Sequence, residues 1–148
     1  MNKFLSLTET ESSLQISFAS QLTDVENVVS RIIQFQEKNN IHINVFGLKL
    51  ILFEALMNAA KHGNNFNEEL AVGVSLEFGE LELLITIKDQ GSGFDWEEKL
   101  KKIEQPANVS GGRGLLLFKA YGYLPTYNER GNELQLCKEL VETEEPHL

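Results

Sequence analysis

The chain has 148 residues, with 13 basic against 22 acidic side chains and a formal net charge of −9. This balance argues against nucleic acid or an anionic membrane as a direct partner, because both attract clusters of Lys and Arg. The single cysteine, Cys137, excludes an intramolecular disulfide, and we expect it to be a small buried hydrophobe. No apolar run approaches the roughly 18 residues of a membrane span, so we expect one soluble, cytoplasmic domain over residues 1–148.

The amino-terminal part of the chain predicts one strand. Apolar residues occupy every second position from Leu14 to Phe18, which is typical of a strand with one buried face. Residues 1–13 and the acidic end after Leu140 look frayed. The ordered core of the domain is therefore expected over about residues 12–140.

Two helices follow this strand. Asp24 is a candidate cap for a helix from Val25 to about Lys38, where apolar residues recur at helical spacing. A second helix, from about Asn44 to His62, is apolar on most of its surface, and Gly63 is placed to end it. We expect this second helix at the centre of the domain.

The middle of the chain predicts a hairpin. Leu70 to Phe78 and Leu81 to Lys88 are rich in β-formers, and the Gly79-Glu80 turn between them favours antiparallel pairing. A short helix is then expected from Trp96 to Ile103, followed by a flexible stretch from Glu104 to Gly112.

The carboxy-terminal part predicts one more helix and a second hairpin. The helix covers Leu115 to Tyr121, and strands Tyr123 to Tyr127 and Glu133 to Leu140 are expected to pair. Strands joined mainly by hairpins, with about three helices over one face, describe an α+β fold. We expect a two-layer α/β sandwich with a mixed, mainly antiparallel sheet.

Three polar side chains of the second helix are evenly spaced. Glu54, Asn58 and His62 are four residues apart, so they share one helical face. A solvated helix edge would be the simpler explanation, but the neighbouring residues are apolar. The carbonyl oxygen of Asn58 suits Mg²⁺, which prefers oxygen ligands shared with phosphates and water. For His62, a pocket role and a charge effect at the helix end both stay open.

Asp89 opens the glycine-containing segment Asp89-Gln90-Gly91-Ser92-Gly93. A carboxylate at the end of an apolar strand needs hydrogen-bond donors, and the exocyclic amine of adenine would supply one. Guanine presents a carbonyl at that position, so this site would prefer ATP to GTP. Gly91 and Gly93 permit close backbone approach to a flat base.

A second glycine cluster, Gly111-Gly112-Arg113-Gly114, precedes the helix that starts at Leu115. Gly112 and Gly114 would present free N–H groups at a helix start, which favours phosphate, and Arg113 would add a charged donor. Competing motifs are absent: the chain has no G-x-x-x-x-G-K-[ST] loop, Trp96 breaks a dinucleotide G-x-G-x-x-G, and one Cys with three scattered His argues against zinc.

The layout and the three ordered motifs resemble the ATP-binding domain of Hsp90-type chaperones, type II topoisomerases and histidine kinases, called the GHKL or Bergerat fold. The likeness covers about residues 24–136 and is closest to a stand-alone branch, the anti-sigma-factor serine-protein kinases. The family motif E-x-x-x-N-A-x-x-H-G is matched by Glu54, Asn58, Ala59, His62 and Gly63, D-x-G-x-G-F by Asp89, Gly91, Gly93 and Phe94, and G-x-G-L by Gly112, Gly114 and Leu115.

This resemblance implies a kinase that uses ATP and Mg²⁺ to phosphorylate a serine of an anti-anti-sigma, STAS-type protein, and that sequesters a sigma factor or similar regulator. Glu54 would be the catalytic base, and Asn58 would also hold the metal. It implies that ATP is bound by Asn58, His62, Asp89, Gly91, Gly93, Gly112, Arg113, Gly114 and Leu115. Stand-alone members resemble dimers, and the apolar surface of the helix from Val25 to Lys38 offers a homodimer contact.

Two departures from the family pattern stand beside this interpretation. The family usually has G-T-x-V near its end, whereas Gly131 is followed here by Asn132 and Glu133. The stretch from Ile103 to Gly112 contains no basic residue, and Arg113 is the nearest substitute. An ATP-gated protein-binding switch without phosphotransfer is the alternative function. A two-component sensor kinase ranks last, because the chain shows no histidine-bearing dimerisation helix.

Overall fold

The computed structural model of the chain describes residues 4–91 and 113–140. The helix expected from Trp96 to Ile103 and the flexible stretch from Glu104 to Gly112 lie outside these ranges, as do Gly93 and Phe94. Within the described ranges, no helix is long and apolar enough to cross a membrane.

A six-stranded sheet forms one layer of the domain. Its strands are β1 (Ser6–Glu9), β2 (Ser13–Ala19), β3 (Ala71–Phe78), β4 (Glu82–Lys88), β5 (Tyr123–Tyr127) and β6 (Glu133–Glu139). They lie in the order β1-β2-β3-β4-β6-β5, and each neighbouring pair is antiparallel. The predicted α+β sandwich is confirmed, but its described strands contain no parallel pair, so the expected mixture is wrong for this part of the chain.

The connection between β2 and β3 explains why the sheet is antiparallel. The chain leaves β2, runs along one helix and returns along a second, so it enters β3 at the end of the sheet where it left. A single crossover helix would instead have required parallel strands. The carboxyl ends of β2, β4 and β5 and the amino ends of β3 and β6 therefore meet at one edge of the domain.

Strand β1 was not expected, because residues 1–13 look frayed in the sequence. Its side chains are mostly exposed, so it has no alternating apolar pattern to find. It is held by pairing with β2 and by Glu9, which accepts hydrogen bonds from Lys38 Nζ at 2.8 Å and from Arg31. The hydrogen bonds from Lys38 and then Arg31 hold the pKa of the Glu9 carboxyl below its usual value.

Helix α1 (Leu22–Lys38) starts earlier than the sequence suggested. Its N-cap is Gln21, whose side chain makes no capping bond, so the expected cap at Asp24 is wrong. Asp24 lies instead in the first turn and is 8% exposed, where a carboxylate complements the partial positive charge of the helix start.

Helix α2 (Val45–Asn58) starts at a proper cap, because the Asn44 side chain accepts a hydrogen bond from the Gly47 N–H at 3.0 Å. It does not end as a regular helix. A single π-helical turn, Ala59–Gly63, continues it, and Asn64 N donates to Ala59 O at 2.9 Å. Helix α3 (Arg113–Ala120) completes the helices of the described ranges.

The core lies between the helices and one face of the sheet. The apolar side of α1 is buried there, so the expectation that this helix has apolar surface to spare is wrong, with Leu22 as the exposed exception. Cys137 is also misassigned by the sequence: it is half-buried on the opposite face of β6, where its Sγ donates to Glu82 Oε2 at 3.4 Å. Burial, followed by the Glu82 carboxylate, raises the pKa of this thiol.

Candidate functional site

A cavity opens at the end of the sheet where β4 finishes, beside the last turns of α2. The empty space amounts to about 530 Å³, including the open solvent at its mouth. Three of the predicted ATP-binding residues line it, namely Asn58, His62 and Asp89. The core arrangement thus brings together a helix motif and a strand-end motif that are about thirty positions apart in the chain.

Asp89 occupies the floor of this site and is 8% exposed. Its Oδ1 accepts a hydrogen bond from the Gly91 N–H at 2.8 Å. Burial raises the pKa of the Asp89 carboxyl, and the Gly91 hydrogen bond and the charge of Arg130 act against this rise. A carboxylate held in this way is a hydrogen-bond acceptor for a ligand that brings its own N–H donor.

Two glycines let the end of α2 and the Asp89 turn approach each other. A methyl group added at Gly63 would collide with the Asp89 carboxylate, and one added at Gly91 would collide with the Gly63 carbonyl. Gly63 was expected to end the helix, and it is the last residue of the π-helical turn. The tertiary contact requires glycine at both positions, because neither has space for a side chain.

The polar face of α2 has the geometry that the four-residue spacing predicts at its first two positions. Glu54 and Asn58 are half-buried, and Asn58 Nδ2 lies 3.5 Å from Glu54 Oε1. His62, one turn further, lies in the π-helical segment, is exposed and lines the cavity mouth. The amide nitrogen of Asn58 is turned to Glu54, which leaves its carbonyl oxygen as the atom suited to a ligand.

Helix α3 brings the third motif against the same face. A Cβ added at Gly114 would lie 3.1 Å from Glu54 Oε1 and 3.3 Å from Asn58 Nδ2, so the start of α3 directly faces these two side chains. Leu115 is buried in the hydrophobic core, where it anchors the helix. Arg113 opens α3, whereas Gly112 lies outside the described residues.

Sequence reasoning overlooked the wall that β5 and β6 contribute. Tyr127, Gly131 and Asn132 line the cavity opposite α2. Burial, and then the charge of Glu54, raises the pKa of the Tyr127 phenol. The sequence did carry one signal, since Asn132 holds the position at which the resembling family has threonine.

Asn132 ties the Asp89 turn to the sheet. The Asp89 N–H donates to the Asn132 carbonyl at 2.9 Å, and Asn132 Nδ2 donates to the Asp89 carbonyl at 3.2 Å. Asn128 fixes this amide in turn, because its Nδ2 donates to Asn132 Oδ1 at 2.7 Å. The backbone and side chain of Asn132 therefore hold the Asp89 backbone directly, on the side of the site that faces β6.

The antiparallel sheet, the helix layer on one face and the polar cavity at the strand ends define an ATP-binding domain of the GHKL type. A family model described as a histidine kinase-like ATPase domain matches residues 18–138, and the chain belongs to this family. Domains of this family bind ATP, generally together with Mg²⁺. A comparison with curated proteins found no match.

The donor set fits Mg²⁺ as the accompanying ion. The carbonyl oxygen of Asn58 is a hard, neutral ligand, and a single such ligand leaves most of the coordination sphere to phosphates and water. Glu54 lies one helical turn away and carries the nearest carboxylate on this face of α2. When bound, Mg²⁺ would neutralise charge on the phosphates of the nucleotide.

Proposed function

We propose that this domain is a serine-protein kinase of the anti-sigma type. It transfers the γ-phosphate of ATP to a serine of an anti-anti-sigma, STAS-type protein and sequesters a sigma factor or similar regulator. One observation carries the proposal: the Glu54 carboxylate lies one turn from Asn58 and faces Gly114 at the start of α3. A base is thus available beside the place where phosphates would bind.

Each wall of the site has a separate task in this proposal. Asp89 accepts a hydrogen bond from the exocyclic amine of adenine, whereas guanine carries a carbonyl acceptor at that ring position. Asn58 holds Mg²⁺, and the free N–H groups at the start of α3 hold phosphate oxygens, with Arg113 as a charged donor. His62, at the exposed mouth, contacts the ligand from the solvent side.

The transfer step is an in-line displacement. The serine Oγ of the partner forms a bond to the γ-phosphorus while the bond from that phosphorus to the bridging oxygen breaks, and ADP leaves with the electron pair. Glu54 takes the serine proton. Because positioning and charge neutralisation dominate phosphoryl transfer, a carboxylate on the rigid helix α2 is suited to this role.

Nucleotide binding is the first test. A ligand present at 100 times its dissociation constant adds about 2.7 kcal/mol to the free energy of unfolding. We expect Mg-ATP to raise the unfolding midpoint of the wild-type protein more than Mg-GTP does at the same concentration, while Asp89→Asn loses this difference. Equal stabilisation by both nucleotides would contradict the adenine role of Asp89.

Phosphotransfer is the second test. The protein is incubated with γ-labelled ATP, Mg²⁺ and purified STAS-domain proteins from the same genome. We expect label on a serine of one of them, and we expect Glu54→Gln to bind ATP normally but to transfer nothing. Glu26→Gln, an exposed carboxylate on α1, is the matched control and should transfer at the wild-type rate.

Two results would overturn the kinase proposal. One is equal labelling by Glu54→Gln. The other is a partner that binds or dissociates when ATP is added yet receives no label, with Glu54→Gln indistinguishable from wild type. The second result would identify an ATP-gated switch, in which nucleotide controls protein binding without group transfer.

A further inference from the structure

Asn64 directly follows the π-helical turn and is 1% exposed, which makes it one of the most buried polar residues among those described. Polar side chains are rarely buried to this degree unless their hydrogen-bonding groups are satisfied. Asn64 lies outside the three sequence motifs. Its position, between the end of α2 and the strand ends that form the cavity, suggests one.

The Asn64 amide is bonded on both sides. Its Nδ2 donates to Ser20 Oγ and to the Ala71 carbonyl, each at 2.9 Å, and its Oδ1 accepts from the Gln90 N–H at 2.9 Å. Ser20 Oγ in turn donates to the Leu70 carbonyl at 2.7 Å. The Ala71 carbonyl can only accept and the Gln90 N–H can only donate, so Nδ2 must face Ala71 and Oδ1 must face Gln90.

The two side-chain amides of Asn64 and Asn132 hold the same turn from opposite sides; we call this pair the amide clamp. Asn132 bonds the Asp89 carbonyl, and Asn64 bonds the next N–H, that of Gln90. Gln90 is held further because its Oε1 accepts from the Ala71 N–H at 2.7 Å. The Asn132 and Asn64 bonds hold the peptide group that joins Asp89 to Gln90, and the Asp89 N–H is held separately by the Asn132 carbonyl, so the backbone on both sides of the Asp89 side chain is fixed.

We propose that Asn64 is a positioning residue that holds the Asp89 carboxylate in the orientation required by the adenine amine, and that it thereby sets the preference for ATP over GTP. The inference rests on the proposed role of Asp89. Asn64 acts through the turn and not on the nucleotide. A carboxylate that is free to tilt can still accept a hydrogen bond, but it pays orientational entropy on binding that a fixed one does not.

The test compares Asn64→Ala with Ser20→Ala. Both remove a buried polar group from one network, but Ser20→Ala leaves the Asn64 bond to Gln90 in place, so it serves as the control for general destabilisation. Dissociation constants for Mg-ATP and Mg-GTP are measured by calorimetry. We expect Asn64→Ala to raise the ATP constant about tenfold and to change the GTP constant by less than about threefold. Ser20→Ala should keep the wild-type ratio.

A double-variant cycle separates positioning from damage. If Asn64 acts through Asp89, Asn64→Ala should no longer change the ATP:GTP ratio in an Asp89→Asn background. Asn64→Asp keeps an oxygen facing Gln90 and serves if Asn64→Ala does not fold: we expect it to lose stability but to keep the wild-type ratio. The exchange rate of the Gln90 amide hydrogen, measured by NMR, should rise in Asn64→Ala and not in Ser20→Ala.

The failures are distinguishable. If Asp89→Asn alone keeps the wild-type ATP:GTP ratio, the adenine role of Asp89 is wrong and the inference falls with it. If Asp89→Asn loses the ratio but Asn64→Ala changes it no more than Ser20→Ala does, Asp89 binds adenine and the positioning role of Asn64 is wrong. A ratio lost equally in Asn64→Asp also overturns the inference.

Discussion

Helices α1 and α2 pack on the same sheet but differ in what they carry. Helix α1 is strongly amphipathic, buries its apolar stripe and contributes no residue to the cavity. Helix α2 is apolar around most of its circumference, begins at a well-formed cap and ends in a π-helical turn beside the cavity. Packing alone explains α1, whereas the end of α2 departs from regularity where the site lies.

The difference teaches where to look for function in such a chain. The local rule of apolar spacing is satisfied along α1, and the capping rule is satisfied at the start of α2. They are broken by Glu54 and Asn58, two polar side chains in an apolar helix, and by the π-helical turn, Ala59–Gly63. If this contrast is correct, variants in α1 should change stability alone, and variants at the end of α2 should change nucleotide binding.

The largest stability loss is expected from the scaffold helix. Phe35 on α1 is fully buried and makes an edge-to-face contact with Phe78, with ring centroids 5.7 Å apart. Phe35→Ala should lower the free energy of unfolding by about 3–5 kcal/mol, because it leaves a cavity in the core. Denaturant unfolding measures the loss. Phe46→Ala, at a site 65% exposed, is the control and should cost less than about 0.5 kcal/mol.

The nucleotide response should survive Phe35→Ala. Under conditions in which the variant is folded, a saturating amount of Mg-ATP should stabilise it by the same free energy as the wild type. A variant that unfolds two-state but binds ATP several times more weakly would break the proposed separation between the two helices.

At the other end of α2, Gly63→Ala should affect stability and binding together. The added methyl group would collide with the Asp89 carboxylate, and overpacking of this kind costs about 1–3 kcal/mol. We also expect the ATP-induced shift in the unfolding midpoint to disappear. Gly73→Ala is the matched control, since a Cβ there meets nothing within 4 Å. An unchanged ATP shift in Gly63→Ala would contradict the close approach described above.

The start of α2 should behave like scaffold although it belongs to the functional helix. Asn44→Ala removes the cap bond to the Gly47 N–H and should cost about 1 kcal/mol of unfolding free energy. ATP affinity should not change. Gln21→Ala, at the corresponding position of α1, removes no capping bond and only an exposed hydrogen bond from Gln21 Nε2 to the Phe66 carbonyl, so it should cost less. Equal losses at the two positions would show that the Asn44 cap contributes nothing specific.

The smallest expected effect is a pH dependence of stability that has opposite signs for two carboxyl groups, those of Glu9 and Asp89. The pKa of Glu9 lies below its usual 4.5, so its stabilising contribution is present above that value and is lost as pH falls through the lowered pKa. The pKa of Asp89 lies above its usual 3.8, so ionisation of Asp89 destabilises the fold as pH rises through the raised pKa. ATP affinity should increase over that same interval, because the ionised carboxylate is the acceptor.

Unfolding midpoints measured between about pH 3 and 6, with and without ATP, check both signs. Glu9→Gln should remove the loss of stability at the acid end, and Asp89→Asn should remove the loss that accompanies rising pH. A single pH dependence shared by wild type and both variants would show that neither carboxyl is perturbed by its surroundings.

Much of the fold could be predicted from the sequence. The two hairpins, the helix over Val25 to Lys38 and the polar face of α2 follow from periodicity, turn residues and spacing, which act over a few neighbouring positions. Strand β1 could not be found in this way, because its mostly exposed side chains leave no pattern and it is held by pairing and by Glu9. Cys137 was misassigned for a related reason, since the side of a strand that faces the core depends on register.

The candidate site divides in the same manner. The sequence by itself determined which residue types were available: Glu54 and Asn58 one turn apart, Asp89 after an apolar strand, and glycines beside it. Only the tertiary structure decided that Gly63 must touch the Asp89 turn, and that Asn64 and Asn132 hold that turn from two sides. The physical reason is that the Asn64 and Asn132 bonds join groups 26 and 43 positions apart in the chain, and only the antiparallel sheet brings these groups to the same end of its strands.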